Sequence, residues 1–351
     1  MKFLSFNIIM LIGLALAILP ACNPGNQSSE NQKDSVNLAN PEQAKLNRIN
    51  QDIKESPSDP DLYEERALYF IDRGNYNEAF KDISSALDID SNYAGYHITL
   101  ADVYLGMGKL KKTVQSLERS LELDKSNPTA YLKLAEINIA IRDYKKALQN
   151  IDMALRIDEL ASKGYLLRGI VMLETGDTLK GIRNFQRAID MNQDYFEAYM
   201  QLGVLYAGKK NSLAIDYFKN ALNIQPDNID ALYNLAMFYQ DYGEFEKAIS
   251  NYKSIIEIDP SFFLAFYNIG YINLVYLSDY DAAIEYFTDA IEIKDDYAEA
   301  YYNRGFAWEL KKNVEKSREN YQKSLEYKPN YEKAIEGLNR IDEFISRQQN
   351  P

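Results

Sequence analysis

A chain of 351 residues, 46% of them hydrophobic, can form two ordinary domains or one elongated array, and is too apolar to be disordered throughout. Its formal net charge of −13 disfavours nucleic acid as the main ligand, because binding to a phosphate backbone depends on Lys and Arg. The single Cys and single His exclude disulfides, a zinc site of Cys and His, and any nucleophilic Ser-His or Cys-His pair other than one using His97. We interpret His97 as a packing residue and predict no metal site and no cofactor.

The amino terminus has the features of a secretory signal. Lys2 precedes an apolar run of about 17 residues, too short for a confident membrane span. The run ends at Leu19-Pro20-Ala21-Cys22, which resembles a bacterial lipobox. This resemblance implies that residues 1–21 are a lipoprotein signal peptide and that Cys22 carries acyl chains. An ordinary signal peptide, or a single membrane anchor with an incidental Cys, stays open as the alternative.

Residues 22–40 contain almost nothing apolar after the Cys, and we expect them to form a flexible tether. Residues 41–56 align with the second helix of a repeat and are predicted to form an amino-terminal capping helix. The lipobox implies a lipid-anchored protein of the bacterial cell envelope, and we expect an outer-membrane position facing the periplasm. Which membrane and which leaflet the chain occupies is left open.

A repeat of about 34 residues runs through the rest of the chain. Small residues recur at intervals of 33 to 35 residues, at Ala67, Ala101, Ala135, Gly169, Gly203, Ala236, Gly270 and Gly305. Within one unit, Leu232, Leu235, Ala236 and Tyr239 follow i, i+3, i+4, i+7 spacing, and a second such stretch begins at Phe245. Each unit is therefore predicted to be a helix, a short turn and a second helix.

The segments "AYMQLGVLYAGKKNSLAIDYFKNALNIQP" (198–226) and "ALYNLAMFYQDYGEFEKAISNYKSIIEIDP" (231–260) resemble the tetratricopeptide repeat. This resemblance implies an all-α fold, a right-handed α-solenoid of about eight helix-turn-helix repeats with capping helices. A carboxy-terminal capping helix is predicted at 332–347. The eight units are predicted at 60–93, 94–127, 128–161, 162–195, 196–228, 229–262, 263–297 and 298–331.

Three units depart from the family pattern. One residue is missing near 208–212, one is added near 275–280, and Lys312-Asn313 stands where Gly is usual. We expect distorted turns at these places.

In this family the first helices line the concave side and hold extended peptides, which implies a candidate peptide groove in the carboxy-terminal half. Residues three before, two before and one after the small residues are predicted to line it. They are Met200, Val204, Tyr233, Asn234, Met237, Tyr267, Asn268, Tyr271, Tyr302, Asn303 and Phe306. An acidic rim is predicted at Asp230, Asp241, Glu299 and Glu309.

Two alternatives to the groove interpretation stay open. The apolar side chains could simply fill space between neighbouring first helices. The three Asn residues could follow the habit of the repeat rather than grip a peptide backbone, although Asn can donate and accept hydrogen bonds at once.

The sequence therefore predicts a non-catalytic, membrane-anchored scaffold or adaptor that binds extended protein segments in its groove. Its partners are expected to be protein or peptide segments with apolar and some basic side chains, and not nucleic acid. One alternative is an assembly factor for a secretion, pilus or outer-membrane complex. Another is an envelope hydrolase that uses Asp or Glu. The identity of the partner and the oligomeric state cannot be predicted from the sequence.

Overall fold

A computed structural model describes residues 41–349 of the chain, with side chains to Arg347. The predicted signal peptide, the lipidation residue Cys22 and the predicted tether lie outside the described residues. Between residues 41 and 349 the backbone forms eighteen α-helices and no strand.

The helices follow one another in pairs joined by short turns. A single helix, α1, comes before the pairs, and another, α18, follows them. A five-residue π-helical segment, Asn273–Leu277, continues α14. The bounds are α1 Pro41–Glu55, α2 Pro60–Ile71, α3 Tyr76–Ile89, α4 Ala94–Gly106, α5 Leu110–Leu123, α6 Pro128–Ala140, α7 Tyr144–Ile157, α8 Ser162–Glu174, α9 Thr178–Met191, α10 Phe196–Gly208, α11 Leu213–Ile224, α12 Ile229–Tyr242, α13 Phe245–Ile258, α14 Phe263–Ile272, α15 Tyr280–Ile293, α16 Ala298–Leu310, α17 Val314–Tyr327 and α18 Glu332–Gln349.

The chain divides into two compact units at the junction of Asn192 and Gln193. In the first unit α1 is followed by four helix pairs, and in the second four helix pairs are followed by α18. This is the α-solenoid of helix-turn-helix repeats with terminal helices that the sequence pattern implied.

Small residues let the two helices of a pair approach closely. A Cβ added to Gly203 in α10 would lie 2.5 Å from the ring of Phe218 in α11. Gly169 in α8 stands in the same relation to Phe185 in α9, also at 2.5 Å. Both rings are fully buried, so each glycine creates the space that its neighbouring aromatic ring fills.

Side-chain caps define where many helices begin. Asp59 and Asn127 each cap a helix whose first residue is proline, a position where the missing N–H costs nothing. Asp143 and Asp177 accept hydrogen bonds from the amides of Lys146 and Lys180, in the first turns of α7 and α9. These caps place the starts of α2 and α6, and of the second helices α7 and α9, directly after their turns.

Half-buried arginines on the first helix of a pair connect the second helix of that pair to the preceding helix. The guanidinium of Arg66 in α2 donates two hydrogen bonds to Asp82 in α3, at 2.8 and 2.7 Å, and one to Asn50 in α1, at 2.7 Å. Arg304 in α16 makes the corresponding bonds to Asn320 in α17 and Thr288 in α15, at 2.8 and 3.0 Å. Each arginine thus joins the second helix of its own pair to the helix before it.

After the first helix of every pair, one residue adopts a left-handed conformation. Glycine holds this place at Gly74, Gly108, Gly176 and Gly243, and non-glycine residues hold it at Arg142, Lys210, Ser278 and Lys312. The amide that follows bonds back into the helix, for example Asn313 to Trp308 at 2.9 Å and Asp143 to Asn138 at 2.8 Å.

The three departures from the repeat pattern have different outcomes. The turn at Lys312 keeps the closing hydrogen bond, at 2.9 Å, so the expectation that it is distorted was wrong. The turn at Lys210 also keeps this bond, at 3.0 Å, but the missing residue tightens the start of the next helix, because Ala214 bonds back three residues to Asn211 where Ala248 bonds back four residues to Glu244. A helix of 12 residues, α11, follows the turn where one residue is missing, whereas most second helices have 14. The added residue is absorbed by the π-helical segment, and Asp279 bonds back six residues to Asn273.

We predict that Lys312→Gly stabilises the protein, because Lys312 has φ +59° and a side chain at such an angle is strained. The free energy of unfolding, measured by denaturant titration, should rise by about 0.5 to 1 kcal/mol. The matched control is Gly243→Ala, at φ +85°, which should lower it by a similar amount or more. An unchanged or lower stability of Lys312→Gly would show that the lysine side chain makes a stabilising contact in this turn.

Candidate functional site

The predicted groove residues all lie on the first helices of the second unit, α10, α12, α14 and α16. They differ in accessibility. Met200, Asn268 and Asn303 are buried, with exposed fractions of 3%, 2% and 7%. The other eight are half-buried: Val204, Tyr233, Asn234, Met237, Tyr267, Tyr271, Tyr302 and Phe306.

The tyrosines three residues before the small residues pack between successive repeats. Each ring contacts one aromatic ring on its own second helix and another just before the next helix pair. The ring centroids are 5.0 to 5.9 Å apart in Tyr233 with Tyr252 and Phe262, Tyr267 with Phe287 and Tyr297, and Tyr302 with Tyr321 and Tyr331. For this row of side chains these ring contacts favour the space-filling interpretation.

Burial also shifts the pKa of these tyrosine hydroxyls. It raises the pKa of Tyr233, Tyr267 and Tyr302, and it raises the pKa of Tyr331 to about 12. The hydroxyl groups therefore stay protonated at neutral pH and act as neutral hydrogen-bonding groups.

Two of the three asparagines connect adjacent repeats. The side-chain amide of Asn268 donates a hydrogen bond to the hydroxyl of Tyr233, at 3.3 Å, and that of Asn303 donates one to Tyr267, at 2.9 Å. Asn234 instead donates to the carbonyl of Asp230 on its own helix, at 2.7 Å. Asn268 and Asn303 thus have a packing role, and Asn234 is the accessible member of the three.

The first unit uses the same relation with different chemistry. The hydroxyl of Thr99 donates a hydrogen bond to the carboxylate of Glu64, at 2.5 Å. Thr99 lies two residues before the small residue Ala101, and Glu64 lies three residues before the preceding small residue, Ala67. This recurrence shows that the hydrogen bond belongs to the stacking of repeats.

Two of the four residues of the acidic rim form ion pairs within the protein. Glu299 pairs with Lys328 at 2.7 Å, and Glu309 accepts two hydrogen bonds from Arg340 of α18, at 2.8 and 2.9 Å. Burial raises the pKa of Glu309, but the hydrogen bonds from Arg340 and Tyr321 outweigh it and leave that pKa below its usual value.

Asp230 and Asp241 are exposed, and within residues 41–349 neither forms an ion pair. The uncompensated negative charge of the rim is therefore concentrated at the two ends of α12.

Sequence reasoning missed two features next to the stripe. Arg340 was not predicted to reach the groove residues, yet its guanidinium lies 5.9 Å from the centre of the Phe306 ring. The π-helical segment exposes Val275, Tyr276 and Leu277. The one-residue insertion was a visible signal for a local change in this helix, but nothing in the sequence indicated which side chains it would expose.

In the part of the chain that the structure describes, no group of three or more His, Cys, Asp or Glu side chains could hold a metal ion. None of the helices between residues 41 and 349 is long and apolar enough to cross a membrane.

Family models described as tetratricopeptide repeat match residues 98–162, 166–229, 229–262, 264–297 and 298–336. The chain belongs to the tetratricopeptide repeat family. Its repeats support a protein-interaction scaffold with protein or peptide partners, and the fold is typically non-catalytic. No curated protein sequence matches this chain.

Solved structures share the fold at low sequence identity. The pilF protein of Pseudomonas aeruginosa is 20% identical, with a TM-score of 0.50 over 57% of this chain and 92% of that one. The carboxy-terminal part of a repeat-containing protein from Cytophaga hutchinsonii is 19% identical, with a TM-score of 0.48 over 78% and 98%. YrrB, described as a TPR protein with an unusual peptide-binding site, is 19% identical, with a TM-score of 0.40 over 64% and 99%.

We predict that Asn303→Ala destabilises the protein by about 1 to 3 kcal/mol, because it leaves the partly buried hydroxyl of Tyr267 without its donor. Asn234→Ala is the matched control and should change the free energy of unfolding by less than about 0.5 kcal/mol, since Asn234 bonds only to its own helix. Equal effects of the two changes in denaturant titration would contradict the role assigned to Asn303.

Proposed function

We propose that this protein is a non-catalytic scaffold, anchored to a membrane of the bacterial envelope, that holds an extended protein segment against the first helices of its second unit. The observation that best supports this proposal is a row of half-buried side chains, each one residue after a small residue of the second unit. This row consists of Val204, Met237, Tyr271 and Phe306. We call it the contact row.

The contact row differs from the tyrosine row in how its members are engaged. Tyr233 and Tyr267 receive hydrogen bonds from the next repeat and face aromatic rings on two sides. Tyr271 stacks against Tyr267 with ring centroids 6.4 Å apart, and Tyr276 lies 6.1 Å away. Half-buried Met and aromatic side chains are well suited to adaptable protein contacts. Packing between repeats therefore leaves this row as the better candidate for binding.

The charges near the contact row favour a particular kind of segment. Asp230 and Asp241 carry free carboxylates, whereas Glu299 and Glu309 are neutralised by Lys328 and Arg340. A partner with apolar anchors and a Lys or Arg beside α12 fits this arrangement. Asn234, also on α12, remains accessible to a partner's backbone or side chain.

Anchoring is supported by the lipobox-like stretch ending at Cys22. Two or more acyl chains on one residue would hold the protein stably on a membrane, whereas a single chain binds only reversibly. An outer-membrane position facing the periplasm is part of this proposal.

The contact row is tested with Met237→Lys plus Tyr271→Lys. Both side chains are half-buried and outside the hydrogen bonds between repeats, so the fold should survive while a charged amine meets the apolar part of the partner. A photoreactive residue that replaces Asn234 captures partner proteins by cross-linking in cells. The yield of these cross-links should fall by at least about tenfold in the variant, equivalent to about 1.4 kcal/mol.

The matched control is Leu213→Lys plus Tyr242→Lys, at side chains of the same unit that are 44% and 55% exposed and lie outside the row. Unchanged capture by the first variant, or equal loss by both, would contradict the assignment of the contact row. If the captured proteins are subunits of a secretion, pilus or outer-membrane complex, the scaffold serves the assembly of that complex.

Lipidation is tested with Cys22→Ala. We expect this change to abolish incorporation of a metabolic fatty-acid label, because the thiol is the attachment point of the lipid in a lipoprotein. It should also reduce the share of the chain recovered with washed membranes. Retained fatty-acid labelling would refute lipidation at Cys22, and membrane recovery without any label would indicate that an uncleaved apolar segment holds the chain.

A further inference from the structure

One edge of the first unit is basic, although the chain as a whole carries a net charge of −13. The edge consists of the turns between α4 and α5 and between α6 and α7 together with the first residues of α5 and α7, that is residues 107–112 and 141–146, and we call it the basic edge. It contains six basic residues and one acidic residue, Asp143, for a sum of +5. The basic residues are Lys109, Lys111, Lys112, Arg142, Lys145 and Lys146, all of them exposed.

Few of these charges are compensated by the protein. Lys146 pairs with Asp143 at 3.5 Å, and this is the one ion pair formed by the basic edge within the described residues. Lys109 and Lys112 lie 6.0 and 5.2 Å from the centre of the Tyr104 ring, which leaves their charge in place. Their positive potential is therefore available to an external anion.

The opposite ends of the same helices carry the opposite charge. The turn before α4, residues 88–93, contains two Asp and no basic residue, and the turn before α6, residues 122–127, contains two acids and one Lys. The two turns sum to −3, against +5 at the basic edge. Charge in these repeats is thus segregated by edge and is not a uniformly solvated mixture.

Exposed apolar side chains accompany the charges of the basic edge. Leu110 and Ile141 are 40% and 57% exposed, and each lies directly beside a basic residue. The basic edge therefore presents cations and apolar side chains together at its surface.

We propose that the basic edge docks on an anionic lipid surface, with Lys and Arg at the phosphate groups and with Leu110 and Ile141 in the interfacial layer. Exposed apolar side chains interspersed with Lys and Arg are typical of surfaces that lie on anionic membranes. This proposal rests on the membrane anchor described under Proposed function.

The length of the amino-terminal chain agrees with this occupant. Residues 23–40, which are 18 residues, separate Cys22 from the start of α1 and can span at most ~60 Å at ~3.3 to 3.6 Å each. The basic edge belongs to the second and third helix pairs after α1, on the order of 30 Å away for helix layers ~10 Å apart. A lipid on Cys22 would therefore keep the basic edge within reach of its own membrane and raise the local concentration of headgroups.

The test uses the purified, full-length, non-lipidated chain with vesicles of phosphatidylcholine alone or mixed with phosphatidylglycerol. A photoreactive residue replaces Leu110 at the basic edge, or Tyr93 at the opposite edge as a control. We expect cross-links from position 110 to lipid to rise at least about tenfold with phosphatidylglycerol and to fall with added salt. Position 93 should show no such rise.

Charge variants complete the design. Lys111→Glu plus Lys145→Glu should abolish the rise at position 110, whereas Lys54→Glu plus Lys125→Glu, an equal change in charge at exposed lysines outside the edge, should leave it intact. Equal cross-linking with and without phosphatidylglycerol, or equal effects of the two variants, would overturn the proposal. Cross-linking of position 110 in cells to an acidic protein instead of lipid would also overturn it.

Failure of the anchor is distinguishable from failure of this docking. The vesicle assay reads the contact of the basic edge without lipidation, and Cys22→Ala reads the anchor alone.

Discussion

The close approach of the two helices in each pair is the constraint on which the rest of the structure depends. Glycine or alanine stands where the first helix meets the second, and at Gly169 and Gly203 a buried aromatic ring occupies the space that a Cβ would need. Because the contact recurs at nearly constant intervals, each pair presents the same faces to its neighbours. This repeated contact therefore determines where each row of side chains on the first helices lies.

The stacking of one pair on the next adds a second, polar layer of contacts. Asn303 reaches back to Tyr267, Asn268 reaches back to Tyr233, and Arg304 joins the second helices on either side of it. These groups are largely buried, so each bond also satisfies a polar atom that would otherwise be costly to bury. The polar layer fixes how neighbouring pairs meet, and it takes up side chains that would look available for a ligand on the sequence alone.

Much of this architecture was predictable from the sequence because it rests on local and periodic signals. The spacing of small residues gave the helix pairs, and the family resemblance gave the solenoid. The partners of individual polar groups were not predictable. Nothing in the sequence places Asn268 beside Tyr233, 35 residues earlier, or brings Arg340 to Glu309, because those contacts depend on the exact rotation of each helix. The replacement of the usual glycine by Lys312-Asn313 misled for a related reason, since the surrounding turn enforces a left-handed backbone with or without glycine.

Tyrosines on the same helix face have different packing environments that composition cannot distinguish. Tyr267 and Tyr271 lie one helical turn apart on α14, with ring centroids 6.4 Å apart. Tyr267 receives a hydrogen bond from Asn303 and packs against Phe287 and Tyr297, so its contacts are committed to the repeat interface. Tyr271 has neighbouring rings but is not the acceptor of an asparagine of the next repeat, and its side chain can meet a partner without breaking the stack. The residues that the stacking contacts leave uncommitted are therefore the candidates for a binding surface in this fold.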